Sequence, residues 1–119
     1  MLINLSNHPV ALWQVAQLNA AVNYGEIVDL PFPDIDPAGD EAYIQLLCEE
    51  YLKKILQLAQ GKKTIVHVMG EMTFTFYLVK ALQERGIECI ASTTSRIVTE
   101  PTINSKKVQF AFIKFRKYI

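Results

Sequence analysis

Several features that a chain of this length often carries are missing. No apolar run approaches the roughly 20 residues that a bilayer span requires. The opening MLINLSNHPV has neither the basic stretch nor the long apolar run of a secretory signal. The expectation is a cytoplasmic protein with no membrane partner. Cysteine is scarce: Cys48 and Cys89 both sit inside apolar periodic segments, where a reduced thiol behaves as a small hydrophobe. With His8 and His67 at unrelated spacings they make no zinc pattern, so neither a metal nor another cofactor is expected. There is no GxGxxG fingerprint and no Walker loop. Lysine and arginine are absent from the first 52 residues, which hold eight acids, whereas the rest carry all 12 bases and only four acids. A chain with zero net charge lacks the overall basic character of a general DNA or RNA binder. Its lopsided distribution suits a small anion or a protein surface, and equally two differently solvated flanks.

What is present describes one domain spanning 1–119, since half of the residues are hydrophobic and can supply a core. Leu2–Leu5 reads as a short strand ending in SNHP. Pro9 then opens a helix over 9–23, with Leu12, Val15, Ala16, Asn19 and Val22 on one stripe and Gly25 as the stop. Glu26–Leu30 is a second strand. After the proline-rich PFPDIDPAGD, Asp40 caps a helix carrying Ile44, Leu47, Cys48, Tyr51, Ile55 and Leu58, closed at Gly61. Thr64–Met69 is a third strand. MTFTFYLV alternates like a strand, but it leads into YLVKALQERG and reads as a helix entry. Glu88–Ala91 is strand four. KKVQFAFIKFRKYI is a C-terminal edge strand in which Val108, Phe110 and Phe112 alternate before Ile113 and Phe115 slip phase, the mark of a bulge or bend. The order β-α-β-α-β-α-β-β predicts an α/β fold, a Rossmann-like doubly wound and mostly parallel sheet.

In such a sheet the parallel strands end at one edge, and ligands sit there. LSNHP, MGEMT and STTSR would meet at that edge. The run Ser92, Thr93, Thr94 and Ser95 contains no Gly, Asn or Pro to make a turn, and its hydroxyls suit phosphate and sugar oxygens, with Arg96 as a fork for a phosphate. Gly70 allows close backbone approach, and the helix entered at Thr73 would offer free N–H groups to an anion. Bland readings stand beside these. Ser6 or Asn7 suits a helix cap, His8 a turn, Glu71 a capping partner, His67 a satisfied histidine between Val66 and Val68, Trp13 the core, and Arg96 a surface charge.

ASTTSR at 91–96 and HVMGEMTFT at 67–75, with the opening INLSNHP, resemble the CRISPR-associated Rossmann fold (CARF) domains that sense cyclic oligoadenylates. The size is similar to that of the small stand-alone CARF-like proteins grouped with ring nucleases, which act in antiviral defence. The resemblance implies a homodimer that binds the ring across its two-fold axis and cuts it without a metal. It carries over Ser92, Thr94 and Arg96 as ligand contacts, with Gly70 and Thr73 from the other turn. GEMT departs from the Gly-Gly-Thr-like turn of such sensors and sets Glu71 near a polyanion. Cleavage would proceed by attack of a ribose 2′-OH on its neighbouring phosphate. Arg96 would steady the charge, His8 would be the first acid–base candidate and Glu71 the second. Two other readings compete: a non-catalytic sensor or sequestering module, and a nucleoside-processing enzyme with Glu71 as nucleophile and Asp29 as a second carboxylate.

Overall fold

A computed structural model describes the backbone of residues 1–102 and 105–119, and side chains outside 100–108. Its centre is the pair β1 (Leu2–Ser6) and β3 (Ile65–Met69), which run parallel from Leu2↔Ile65 to Ser6↔Met69. β2 (Ile27–Asp29) joins the outer side of β1, and β4 (Glu88–Thr102) joins β3, both in parallel. The last strand, β5 (Ser105–Lys117), pairs antiparallel with β4, so the sheet order is β2-β1-β3-β4-β5. The fold is α/β, with a mostly parallel five-stranded sheet and an antiparallel edge pair.

Alternation along the strands sends successive side chains to opposite faces. Ile3, Leu5, Val66, Val68 and Cys89 face α2 (Glu41–Ala59) and α3 (Met72–Glu84), which contribute Cys48, Tyr51, Ile55, Phe74, Leu78 and Leu82 to the larger core. Leu2 and Ile90 face the other way, towards Trp13, Leu18 and Ala21 around α1 (Val15–Ala21). Helices therefore cover both faces. Both cysteines are free and buried, and burial pushes each thiol up to about 12. The Asp40 cap is present, its carboxylate accepting from the Tyr43 N–H, and MTFTFYLV is helical. Gly25 and Gly86 follow their helices at φ +89° and +73°, where a side chain is strained.

Two expectations are corrected. The helix predicted over 9–23 is broken. A 3-10 turn at Val10–Leu12 is followed by Trp13 and Gln14 in extended conformation, then α1, then a second 3-10 turn at Val22–Tyr24. Two extended residues advance the helical phase. The predicted stripe of Leu12, Val15 and Val22 is consequently exposed, while Trp13, Leu18 and Ala21 turn to the sheet. The break is held from both sides: the Trp13 indole N–H donates to the His8 carbonyl at 3.0 Å, and the Gln14 amide bonds the Phe110 carbonyl and the Phe112 N–H of β5.

The second correction concerns STTSR. Strand four does not stop at Ala91. Pairing with β3 ends at Ile90, but β4 continues through Thr102 as a two-stranded ribbon with β5. Threonine, isoleucine and valine favour extended backbone, and the absence of a turn residue means that nothing ends the strand. The predicted bulge is present: Thr93 pairs with Lys114 and Thr94 with Phe112, leaving Ile113 between them. It brings Phe112 and Phe115 onto one face, with ring centroids 5.0 Å apart. The alternation expected at Val108 lies outside the described side chains.

Gly70 ends β3 against the Phe32 ring, whose Cζ would lie 2.1 Å from an added Cβ. That ring stacks edge-on against Phe74 of the core, with centroids 5.2 Å apart. Gly70→Ala should therefore push Phe32 off Phe74 and destabilise the fold by about 1–3 kcal/mol in urea denaturation. In a Phe32→Ala background the same change should cost much less. Equal costs in both backgrounds would show that the ring is not the obstacle.

Candidate functional site

β1 and β3 end side by side at Ser6 and Met69, while β4 runs on past them. A cleft of about 450 Å³ opens over this edge. The chain leaving β1 supplies Ser6, Asn7 and His8, the end of β3 supplies Met69 and Gly70, and β4 supplies Ser92 and Thr94. Trp13, Gln14 and Gln17 form the wall around α1, and Phe110 and Phe112 close it from β5. Among the described residues, no lysine or arginine lines the cleft.

The predicted site residues divide. Ser6, Asn7, His8, Gly70, Ser92 and Thr94 come together in the cleft. Thr93 points elsewhere: its hydroxyl donates to the Lys114 carbonyl at 3.1 Å and faces the Lys114 N–H at 3.2 Å. Ser95 and Arg96 are exposed on the ribbon. Arg96 pairs with Phe110, two residues beyond Thr94, which places it on the same side of the ribbon about 7 Å further along.

Glu71 and Thr73 stand outside the cleft, and the expectation of free N–H groups at this helix start is corrected. The Glu71 carboxylate accepts from the Thr73 N–H at 2.6 Å, from the Phe74 N–H at 3.2 Å and from the Thr73 hydroxyl. The helix thus holds an anion of its own. The Thr73 hydroxyl is the main cause that lowers the Glu71 pKa, with the backbone N–H bonds adding to it, so the group stays ionised.

Beneath the cleft floor lies a polar row that the sequence reading did not assemble. Parallel register sets Asp29, Asn4 and His67 side by side on three neighbouring strands, all on the α1 face. The Asn4 Nδ2 group donates to Asp29 Oδ1 and to the His8 carbonyl, both at 2.9 Å. Both partners only accept, so the amide orientation is fixed. Asn4 Oδ1 then accepts from the Ser6 hydroxyl at 2.8 Å and meets His67 Nδ1 at 2.9 Å. An amide oxygen cannot donate, hence His67 carries its proton on Nδ1. Burial lowers the His67 pKa from 6.5 to about 4, which keeps the ring neutral and leaves a lone pair on Nε2. That lone pair faces the Ser92 hydroxyl at 2.7 Å, and Ser92 Oγ in turn accepts from Gln17 Nε2 at 3.0 Å. Trp13 and Phe115 set ring edges against the imidazole, with centroids 5.4 and 5.6 Å away.

Asn4 and Gln17 were missed, and His67 is a satisfied histidine with a further connection to the cleft. The available signal was a polar residue at the centre of each buried strand, LINLS and IVHVM.

Comparison with known proteins adds a family and no activity. A model described as "Uncharacterized protein MJ1673 family" matches residues 1–116. No curated protein and no solved structure matches the chain.

The buried imidazole makes stability depend on pH. In the unfolded chain His67 titrates near 6.5, and in the fold at about 4, so between these values the unfolded state binds the additional proton. Stability is complete above that range and falls as pH drops through it. The loss should reach about 2 kcal/mol by pH 5 at roughly 1.4 kcal/mol per unit. Urea midpoints at pH 7.5 and 5 measure it, and in His67→Gln the difference should shrink by about that amount. An unchanged difference in the variant would show that other groups carry the pH dependence.

Proposed function

Since the chain belongs to the MJ1673 family, whose description names no activity, we propose a function from the cleft and the resemblance to CARF proteins. The protein is a cytoplasmic, Rossmann-like ring nuclease of antiviral defence. It binds a cyclic oligoadenylate at the strand ends and opens it without a metal. The observation that carries this reading is the convergence of Ser6, Asn7, His8, Gly70, Ser92 and Thr94, from three strand ends, in one cleft. The order β2-β1-β3-β4-β5 with helices on both faces supports the doubly wound description. The cleft also lies where strand order reverses, beyond β1 and β3, the usual ligand position in such sheets.

Ring opening needs a ribose 2′-oxygen held in line with the leaving 5′-oxygen, and positioning alone lowers that barrier by several kcal/mol. The hydroxyls of Ser6, Ser92 and Thr94 and the amide of Asn7 contact sugar, phosphate and base edges. His8, exposed at the cleft rim, is the candidate acid for the leaving oxygen. The ligand's phosphates reach Arg96 by extending along the ribbon.

A cleft of about 450 Å³ suits one nucleotide rather than a ring of several. Two copies related by a two-fold axis present two clefts to one symmetric ring. Exposed Met72 and Phe76 on α3 border a second cavity that shares Met69 and Gly70 with the cleft, and they provide apolar surface for that pairing. A non-catalytic sensor is the second reading, favoured by the lack of a lysine or arginine among the described residues that line the cleft.

Calorimetry with cyclic tetra- and hexa-adenylate, with chromatography of the products, tests the proposal. Arg96→Ala should weaken binding about tenfold, as loss of one exposed charge-assisted contact does. His8→Ala should bind normally and cut roughly 10²-fold more slowly. Light scattering should find a dimer with ligand bound. Binding without cleavage by the native protein would select the sensor; no binding of any ring would reject the reading.

A further inference from the structure

The row beneath the cleft has the arrangement of an activated hydroxyl: a serine bonded to an imidazole, and the imidazole oriented by a third group. Ser92 is half-buried and lines the cleft, His67 is 2% exposed beneath it, and Asn4 is 1% exposed behind. The partners of the imidazole fix where its proton sits. Asn4 Oδ1 holds the His67 Nδ1 proton at 2.9 Å, so the Nε2 lone pair is aimed at Ser92 Oγ at 2.7 Å. Gln17 Nε2, 3.0 Å from the same oxygen, donates to it and steadies negative charge as its proton leaves. The partner that satisfies the second nitrogen of this buried imidazole is a hydroxyl that itself lines the cleft, so the row reaches the site.

We infer that Ser92 and His67 form a proton relay that activates a hydroxyl in the cleft, with Asn4 and Asp29 as positioning residues. Applied to the ring reading above, on which this application rests, the relay removes the proton of the attacking 2′-OH. That proton passes to Ser92 Oγ as the Ser92 proton passes to His67 Nε2. The 2′-oxygen forms its bond to phosphorus, and the bond from phosphorus to the 5′-oxygen breaks. The 5′-oxygen takes a proton from His8 or water, and His67 returns its proton to solvent through Ser92. The products are a 2′,3′-cyclic phosphate and a 5′-hydroxyl, with no net change in protons.

The relay has a readout that needs no ring. A serine that hands its proton to histidine is also nucleophilic towards a fluorophosphonate. Its Oγ displaces fluoride from phosphorus, and the hydroxyl proton goes to His67 and then to solvent. Native protein treated with diisopropyl fluorophosphate should gain one phosphoryl adduct, located at Ser92 by mass spectrometry. Ser92→Ala should gain none there, and His67→Gln, checked for fold by circular dichroism, should react at least 10²-fold more slowly. NMR of the imidazole nitrogens in native protein guards against a variant that does not fold: Nδ1 should be protonated and Nε2 bare, and Asn4→Ala should mix the two tautomers. No adduct at Ser92, equal rates in His67→Gln, or a proton on Nε2 in native protein would each overturn the relay. With cyclic tetra-adenylate at saturating concentration, Ser92→Ala should lose at least 10²-fold in the rate of cutting, and cutting at the native rate would overturn it too. A protein that labels at Ser92 with His67 dependence yet binds no ring would keep the relay and reject the ring reading.

Discussion

The architecture depends on one requirement: an amide and an imidazole placed in the middle of a sheet must find every hydrogen-bond partner inside the protein. An unsatisfied buried group costs about 1–3 kcal/mol, a large part of a small domain's stability. Asn4 meets the requirement by bonding to four groups on three segments: Asp29 of β2, the Ser6 hydroxyl at the end of β1 with the His8 carbonyl just past it, and His67 of β3. The chain leaving β1 is thereby pinned over the sheet edge. The His8 carbonyl that receives Asn4 also receives the Trp13 indole, so the same point anchors the extended pair that breaks the first helix. From there Gln17 reaches Ser92 and closes the row against β4.

The ribbon is the second organising element. Where β4 leaves β3, its partner is β5 alone, and a two-stranded ribbon has little stability by itself. Its root is fastened by the bulge at Ile113, which brings Phe112 and Phe115 together beside Trp13 and His67, and by the Gln14 amide, which bonds β5 much as a neighbouring strand would. Tyr118, just beyond β5, donates its hydroxyl to the Val68 carbonyl at 2.6 Å and ties the chain's end back to β3. The cleft is thus walled by segments far apart in sequence, each held by at least one polar side chain as well as by apolar packing.

Charge plays a smaller part than its lopsided distribution suggested. Lys54 with Glu50 and Lys117 with Glu88 are exposed pairs at 3.3 Å, of the kind that contributes little to stability. Most of the polar groups that matter to the cleft are hydroxyls and amides, which carry no charge: two serines, a threonine, two asparagines and two glutamines, with the buried His67 neutral among them. Asp29, exposed at the far end of the row, is the exception, and it accepts both from Asn4 and from the Val10 N–H at 3.2 Å.

Much of the element order was legible in the sequence, because periodicity, caps and glycine stops are local signals. Asp40 before its helix, Gly25 and Gly86 after theirs, the helical reading of MTFTFYLV and the phase slip at Ile113 each rest on a few consecutive residues. The meeting of the strand ends at one edge also follows from the order of elements, since parallel strands with crossovers must share it. The two misreadings of secondary structure have a common cause. The stripe over 9–23 assumed an unbroken helix, and the end of strand four assumed that hydroxyls mark a terminus. In both places the outcome depends on residues 96 and 98 positions away or on strand pairing, which a local pattern does not contain. The row from Asp29 to Ser92 lay beyond the sequence for the same reason. Its members are 25 to 63 residues apart along the chain, and only the parallel register brings their side chains to one level on one face.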